Sequence, residues 1–325
     1  ERIYPIDGII VPQPTISPDG NWLAFSTVST DSPNKVTLIN LQNNFLLSFS
    51  QDEPVNGPIV WLSNSSSVIF ATGKMNKDRR VEYFLKEFVI SEKREKIIGK
   101  IYQSMLFAPV VSNTNKIVFK EILREKEIVN KQKYYYSDLW YMDENRNTIT
   151  KIISEKLLNY FSWATNDSIC FSRGKIEKDK LVLDLYFKNL QTGQEKLLLE
   201  DVSEFRILQD KDVLYFKKQD KRYQIGKISL KDFKVTLIGT VENIFYPAIS
   251  ADGSKVAFLR KNQIWVLDVA SLKENKLTSS KSEKRFPVWT KDNQYIIYST
   301  INELVKIKVI FENGKGDGVP LKKIR

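Results

Sequence analysis

The sequence contains no histidine and a single cysteine, Cys170, and this excludes several kinds of catalytic chemistry within the chain. Without histidine, the chain has no Ser-His-Asp or Cys-His catalysis, histidine metal site or histidine pH switch. One cysteine forms neither an intrachain disulfide nor a thiolate zinc site. Cys170 lies in the apolar run Ile169-Cys170-Phe171, which favours a buried side chain over a nucleophile. We therefore predict no catalytic residues, no metal site and no cofactor.

Basic side chains are the remaining candidates for a site, and they are concentrated in a few polar segments. The formal net charge of +11 suits anionic partners. The predicted loops between the second and third strands of the repeat units form what we call the loop face, and their charges sum to this whole excess. These loops are 27–35, 73–80, 120–133, 172–180, 217–222, 260–261 and 300–303. The candidate binding residues are Lys77, Arg79, Arg80, Arg124, Lys131, Lys133, Tyr134, Lys217, Lys218, Lys221, Arg222, Arg260 and Lys261.

The basic segments also admit a purely structural interpretation. Exposed hairpin tips often carry lysine for solubility and for protection of strand edges. Tyr134 stands beside lysines, where a ring can stack on a sugar or a base, although tyrosines at a strand start also suit packing. Because no RNA-binding motif accompanies them, we favour a protein or an anionic polymer over nucleic acid as the partner. Polyanion binding should then weaken as the salt concentration rises.

An internal repeat spaces these segments along the chain. Each unit opens at a proline or phenylalanine, turns at a segment rich in Asp, Asn and Gly, and continues into further apolar strands. Periods of about 40–50 residues with four short strands are typical of propeller blades. The central residues of the second strands lie 40 to 52 residues apart and are Ala24, Ile69, Val118, Cys170, Leu214, Ala257 and Ile297.

The repeat predicts an all-β fold, a seven-bladed β-propeller of four-stranded antiparallel blades, with six blades as the alternative. We expect one domain over residues 1–325. Residues 1–12 should lie against the last blade and help to close the ring, since an open edge invites aggregation. The predicted blades cover about 13–50, 58–100, 107–153, 158–199, 202–240, 244–279 and 284–325, the last with VPLKKI as its fourth strand.

Several residues are assigned structural roles by their place in the repeat. Trp61, Trp163 and Trp289 occupy the same first-strand position, and we predict that they pack between blades. Asp19 and Asp252 belong to turns between first and second strands, so we interpret them as turn-forming rather than catalytic.

The segments PTISPDGNWLAFST (14–27), PAISADGSKVAFLR (247–260) and PVWTKDNQYIIYST (287–300) resemble the repeats of TolB-type propellers. They also resemble repeats in the propeller domains of prolyl-oligopeptidase-type and dipeptidyl-peptidase-type serine peptidases. The resemblance is weak over 161–240. It implies a propeller fold and an extracytoplasmic location, periplasmic or at the cell surface. This sequence differs from both families. TolB-type proteins have six blades behind a small α/β domain, whereas seven units and no such domain are predicted here, and the nucleophile elbow of the peptidases, G-x-S-x-G, is absent.

From these observations we predict a TolB-like, non-enzymatic binding or scaffold propeller that docks a protein or an anionic polymer through its loop face. Two alternatives remain open. One is a propeller enzyme acting on glycans, for which carboxyl groups would have to converge at the mouth of the ring. The other is the propeller domain of a larger serine peptidase.

Overall fold

The fold is described from a computed structural model, over residues 2–5, 9–10, 13–28, 34–51, 55–77, 81–101, 105–208, 212–220, 222–242, 244–301 and 303–310. All regular secondary structure within these ranges is β-strand. In this part of the chain, no helix has the length and hydropathy needed to span a membrane. The all-β prediction is therefore confirmed.

The strands are short at the ends of the chain and long in its middle. Those of the first half are β1 Arg2–Pro5, β2 Ile9–Ile10, β3 Thr15–Ile16, β4 Trp22–Val28, β5 Asn34–Asn40, β6 Leu46–Gln51, β7 Val55–Trp61, β8 Ser67–Met75, β9 Val81–Val89, β10 Arg94–Ile101, β11 Met105–Val111, β12 Ile117–Val129, β13 Gln132–Met142 and β14 Ile149–Thr165. Those of the second half are β15 Ser168–Glu177, β16 Lys180–Asn189, β17 Glu195–Leu199, β18 Glu204–Ile207, β19 Val213–Gln219, β20 Arg222–Ile228, β21 Val235–Glu242, β22 Phe245–Ile249, β23 Lys255–Arg260, β24 Gln263–Asp268, β25 Glu274–Lys276, β26 Arg285–Trp289, β27 Tyr295–Ser299 and β28 Glu303–Lys308.

Consecutive strands pair antiparallel in groups of four, as the repeat predicts. The described ladders are β3–β6, β7–β10, β11–β14, β14–β17, β18–β21, β22–β25, and β26–β28 extended by β1. Strand β14 belongs to two ladders, because the predicted fourth strand TITKII and the next first strand form one continuous element. No glycine or proline interrupts residues 149–165, so nothing in this stretch breaks the extended backbone.

A buried apolar cluster lies between each pair of successive ladders, and another joins the last ladder to the first. In the closing cluster, Leu23 and Phe25 of the first ladder pack with Ile297 and Leu304 of the last. The second strands supply much of this core. Phe70 and Phe258, for example, are completely buried, and burying such a ring contributes about 1.5–3 kcal/mol. The ladders therefore stand in a ring, with the first strand of each nearest the axis.

The three repeated tryptophans pack in the clusters between neighbouring ladders, which confirms their predicted role, and each also donates a hydrogen bond to the neighbouring blade. The indole Nε1–H of Trp61 donates to the carbonyl of Thr15 at 3.3 Å. Trp163 donates to Val110 O at 3.2 Å, and Trp289 donates to Ala248 O at 2.9 Å. In each case the acceptor lies on the first strand of the preceding ladder, so one residue joins two blades by packing and by a hydrogen bond.

The N-terminal strand β1 pairs with β28, with Tyr4 opposite Leu304 and Pro5 opposite Glu303. It thus occupies the outer position of the last ladder, while β2 pairs with β4 in the first. The segment VPLKKI, predicted to fill that outer position, lies outside the described residues. The blade boundaries drawn from the sequence remain a prediction.

The turns between first and second strands are held by aspartate side chains. Asp19 Oδ1 accepts a hydrogen bond from the Ser17 hydroxyl at 2.5 Å and from the backbone N–H of Asn21 at 3.0 Å. Asp252 Oδ1 does the same with Ser250 and with the N–H of Ser254, at 2.6 and 3.0 Å. These contacts agree with the structural role expected for both aspartates.

Candidate functional site

The first strands surround a central channel. A cavity of about 590 Å³ lies along it, lined by residues of β3, β18, β22 and β26 and by Pro58 of β7. Glu204 at the start of β18 pairs with Phe216, which directly precedes the basic hairpin tip at Lys217 and Lys218. The first residues of these inner strands therefore lie at the end of the channel that carries the basic loops.

Three successive inner strands place polar side chains at one repeat position, immediately before the residue that opens each unit. These residues are Tyr160, Glu204 and Tyr246, which precede Phe161, Phe205 and Pro247. They lie on β14, β18 and β22. Glu204 lies close enough to Tyr160 for its negative charge to raise the pKa of that phenol, after the larger effect of burial.

Glu204 is the carboxyl group at the centre of this cluster. Its side chain is only 17% exposed and forms an ion pair with the Nη2 of Arg206, two residues further along β18. Burial raises the pKa of Glu204, and the neighbouring guanidinium offsets this only in part. A carboxylate whose pKa is raised is a stronger proton acceptor than an ordinary one.

Arg206 and two phenols surround this carboxyl group. The guanidinium carbon lies 5.8 Å from the centre of the Tyr160 ring, and its Nη1 donates to Phe205 O at 2.8 Å. Burial and then the charge of Glu204 raise the pKa of Tyr160, and the same two causes raise that of Tyr223. Both phenols are therefore protonated at neutral pH and available as hydrogen-bond or proton donors.

A buried lysine, Lys120, lies beside β14, the strand that carries Tyr160. Lys120 Nζ donates to the carbonyls of Leu158 and Asn159, each at 3.4 Å, and these residues directly precede Tyr160. Burial lowers the pKa of Lys120 to about 8. Since desolvation disfavours the ammonium form, this lysine releases its proton more easily than an exposed one.

These side chains could remove a proton from a substrate carbon and stabilise the negative charge that this leaves on the substrate. The cluster offers a proton acceptor in Glu204, a fixed positive charge in Arg206 and a proton donor in Tyr160. Such groups act at a carbon acid whose anion the guanidinium stabilises. Hydrolysis of a glycosidic bond would require two carboxyl groups about 5–10 Å apart, and Glu204 is the only carboxyl group of the cluster described above.

Those predicted basic residues that the structure describes lie at or next to hairpin tips, outside this cluster. Lys77, Lys131, Lys133, Lys218, Arg222 and Lys261 are exposed. Two others are engaged within the chain. Arg260 forms a bidentate pair with Glu274 at 2.5 and 2.8 Å, and Lys217 Nζ lies 3.6 Å from Asp201 Oδ2. The phenol of Tyr134 donates to Gln132 at 2.5 Å.

Four of the predicted site residues cannot be placed. Arg79, Arg80 and Lys221 lie outside the described residues, as does the side chain of Arg124 in β12. The assignment of the basic residues to a binding face thus remains a proposal.

Sequence reasoning missed the cluster of Tyr160, Glu204, Arg206 and Tyr246. One signal for it was present, because alignment of the seven opening residues brings Tyr160, Glu204 and Tyr246 into a single column. The alignment does not show that these positions lie at one end of the channel, on the loop side of the residues that line it.

No protein-family model matches the sequence, and no curated protein matches it significantly. Solved structures, in contrast, resemble the fold over nearly the whole chain. An oligogalacturonate lyase in complex with manganese is 13% identical, with a TM-score of 0.76 over 95% of this chain and 92% of that one. The oligogalacturonate lyase of Vibrio parahaemolyticus is also 13% identical, with a TM-score of 0.75 over 95% and 93%.

Structures of the families named by the sequence resemblance align as well. TolB from Acinetobacter baumannii is 12% identical, with a TM-score of 0.56 over 83% of this chain and 66% of that one. An acylaminoacyl peptidase from Pyrococcus horikoshii and a prolyl endopeptidase also align, each over 51% of its own length, with TM-scores of 0.67 and 0.64. The fold of the chain is therefore a TolB-like β-propeller, as predicted.

These comparisons contradict the prediction of a non-enzymatic scaffold. Two structures that match the chain from end to end at TM-scores of 0.76 and 0.75 are enzymes that carry the name of a glycan lyase. Sequence reasoning rejected catalysis because histidine and the nucleophile elbow are missing, but it did not consider a buried carboxyl group with phenol neighbours. Of the interpretations left open above, the glycan-acting propeller enzyme agrees best with these findings.

One of these lyases was solved in complex with manganese, but the described residues of this chain do not form a manganese site. The sequence offers no histidine, and the described part of the chain brings no three Asp, Glu or Cys side chains together as a metal site. We therefore derive the chemistry of the cluster from its own side chains.

Proposed function

We propose that this protein is a propeller enzyme that cleaves acidic oligosaccharides by elimination at the Glu204 cluster. The observation that carries the proposal is the buried Glu204 carboxyl group, with its raised pKa, its ion pair to Arg206 and its phenol neighbours. The similarity in fold to two oligogalacturonate lyases supports a uronate, a sugar carrying a carboxylate, as the substrate class.

In this mechanism the Glu204 carboxylate removes the proton from the carbon next to the sugar carboxylate. The electron pair of that C–H bond forms a C=C double bond while the glycosidic C–O bond on the adjacent carbon breaks. The leaving oxygen takes a proton from Tyr160, and the proton on Glu204 returns to the tyrosine through solvent. Protonation of Glu204 leaves the charge of Arg206 unpaired, so that it stabilises the anion that develops on the substrate.

The basic loop face gives such a substrate a route to the site. In support of this, Glu204 pairs with Phe216, which lies two residues before the exposed Lys218. A positive field of this kind raises the encounter rate with anions over about 8–10 Å in ordinary salt. We retain the binding residues predicted from sequence in this steering role, and with them the extracytoplasmic location implied by the TolB-type resemblance.

The test is cleavage of trigalacturonate and of other uronate trisaccharides, with maltotriose as a neutral control. Elimination produces an unsaturated sugar that absorbs in the ultraviolet. We expect Glu204→Gln to lower the rate by about 10²–10⁴-fold, the contribution of a positioned general base. Glu200→Gln removes the same charge from an exposed position nearby and should leave the rate unchanged.

Two results would count against this proposal. New reducing ends without ultraviolet absorbance would mean hydrolysis in place of elimination. Wild-type protein that releases neither product from any uronate trisaccharide would show that the cluster does not cleave acidic glycans.

A further inference from the structure

Two large aromatic side chains are exposed beside the Glu204 cluster. Phe245 is 54% exposed and Tyr246 is 61% exposed, although both lie on the inner strand β22. With Phe286 of β26 they line a cleft of about 440 Å³ between the last two ladders. Tyr246 occupies on β22 the repeat position that Glu204 occupies on β18, so this cleft begins at the same end of the channel as the cluster.

The backbone holds two of these rings in an unusual conformation. Tyr246 has φ = 51° and Phe286 has φ = 52°, and each directly precedes a proline. The register of both inner strands shifts at this point, between Phe245 and Ala248 and between Arg285 and Val288. A bulky residue with positive φ is a conformational outlier, and such outliers concentrate at functional sites. The same positive φ and the same register shift occur in two successive blades, so we interpret this conformation as a specific feature of the fold.

The rings are arranged to leave an aromatic surface open. Tyr246 and Phe286 meet edge to face, with centroids 5.8 Å apart and planes at 75°. This geometry fixes the orientation of the tyrosine ring without covering it, as its exposure demonstrates. A flat, exposed aromatic face is the surface on which the C–H side of a sugar ring packs.

The cleft also carries positive charge. Arg285 is neutralised by Glu283, with contacts of 2.9 and 3.0 Å. Lys284 is 1% exposed, and its Nζ donates to the carbonyls of Ser280 and Ser282. Lys261 at the hairpin tip is exposed and forms no ion pair among the described residues. It is therefore the cation available to a ligand in the cleft.

We propose that this cleft is a sugar-binding subsite in which one ring of an acidic oligosaccharide stacks on Tyr246 while its carboxylate pairs with Lys261. The proposal rests on the proposed function, because it places the ring next to the bond that the Glu204 cluster would cleave. It names two residues that position the substrate without taking part in proton transfer.

The test measures binding of trigalacturonate to the full chain carrying Glu204→Gln, by isothermal titration calorimetry, so that the ligand is not consumed. In this background we expect Tyr246→Asn to weaken binding about ten-fold, within the range for loss of one stacking contact. Asparagine tolerates positive φ, so this variant removes the ring and keeps the backbone. Tyr135→Asn, at an exposed tyrosine on the hairpin of β12 and β13, is the matched control and should bind normally.

The charge contact is tested separately. Lys261→Ala should weaken trigalacturonate binding about ten-fold and lose much of the salt dependence. Lys178→Ala, at an exposed lysine outside the predicted binding set that shares the positive φ of Lys261, should have little effect. Unchanged affinity in Tyr246→Asn or in Lys261→Ala, with an unchanged melting temperature, would overturn the subsite, as would the absence of any trigalacturonate binding.

These outcomes separate the subsite from the proposed function. If wild-type protein yields no unsaturated product but trigalacturonate binding still depends on Tyr246 and Lys261, elimination is wrong and the subsite stands. If wild-type protein cleaves the trisaccharide and Tyr246→Asn leaves KM unchanged, the subsite is wrong and elimination stands.

Discussion

At the scale of single residues, the site depends on a balance between burial and one ion pair. Burial raises the pKa of Glu204, and Arg206 lowers it again in part. The carboxylate must be ionised to accept a proton, so activity should increase as the pH rises through the pKa of this group. The raised pKa of Tyr160 keeps the proposed donor protonated well above neutrality.

Arg206→Gln tests this balance. Loss of the positive charge destabilises the carboxylate form, so the pKa of Glu204 should rise and the ascending limb of kcat/KM against pH should move up by about one unit or more. Arg206→Lys keeps the positive charge, so the ascending limb should return close to its wild-type pH. A uniform fall in kcat/KM at every pH, with no shift of the limb, would mean that the arginine acts only in packing.

At the scale of strands and turns, each blade is tied to its neighbour through its inner strand. Apolar clusters supply the bulk of the contact, and the indole hydrogen bonds of Trp61, Trp163 and Trp289 fix the register between neighbouring inner strands. Because Glu204 and Tyr246 lie on such inner strands, the relative position of the blades determines the geometry of the site.

The contribution of one such tie can be measured by Trp289→Phe. The smaller ring keeps most of the packing but leaves Ala248 O without its 2.9 Å donor, so the free energy of unfolding should fall by about 1 kcal/mol. Trp265→Phe is the matched control. Its indole Nε1 is buried without a hydrogen-bond partner, so its loss should be neutral or stabilising. Equal losses in both variants, measured by urea denaturation, would contradict the role of the hydrogen bond.

At the scale of the whole molecule, the ring is closed by strands from opposite ends of the chain. Strand β1 pairs with β28 on the last ladder, and the cluster of Leu23, Phe25, Ile297 and Leu304 joins that ladder to the first. An unpaired β28 would present an open strand edge to other molecules. Closure therefore protects the protein against association as well as against unfolding.

Tyr4→Pro tests the closure, because proline removes a backbone N–H from β1 opposite Leu304 and fixes φ. We expect a lower melting temperature and concentration-dependent association in light scattering. Tyr4→Val keeps the backbone N–H and should retain the pairing of β1 with β28. An unchanged melting temperature in the proline variant would show that β1 contributes little to closing the ring.

The all-β class, the four-strand repeat and the roles of Trp61, Trp163, Trp289, Asp19 and Asp252 were predictable from local sequence patterns. Turn residues that alternate with apolar segments are enough to specify the strands within one unit. Which residues meet across units depends on the packing of the blades. Tyr160, Glu204 and Tyr246 are more than 40 residues apart in sequence, and they converge because successive blades place their inner strands around one axis. The burial that raises the pKa of Glu204 depends on that convergence.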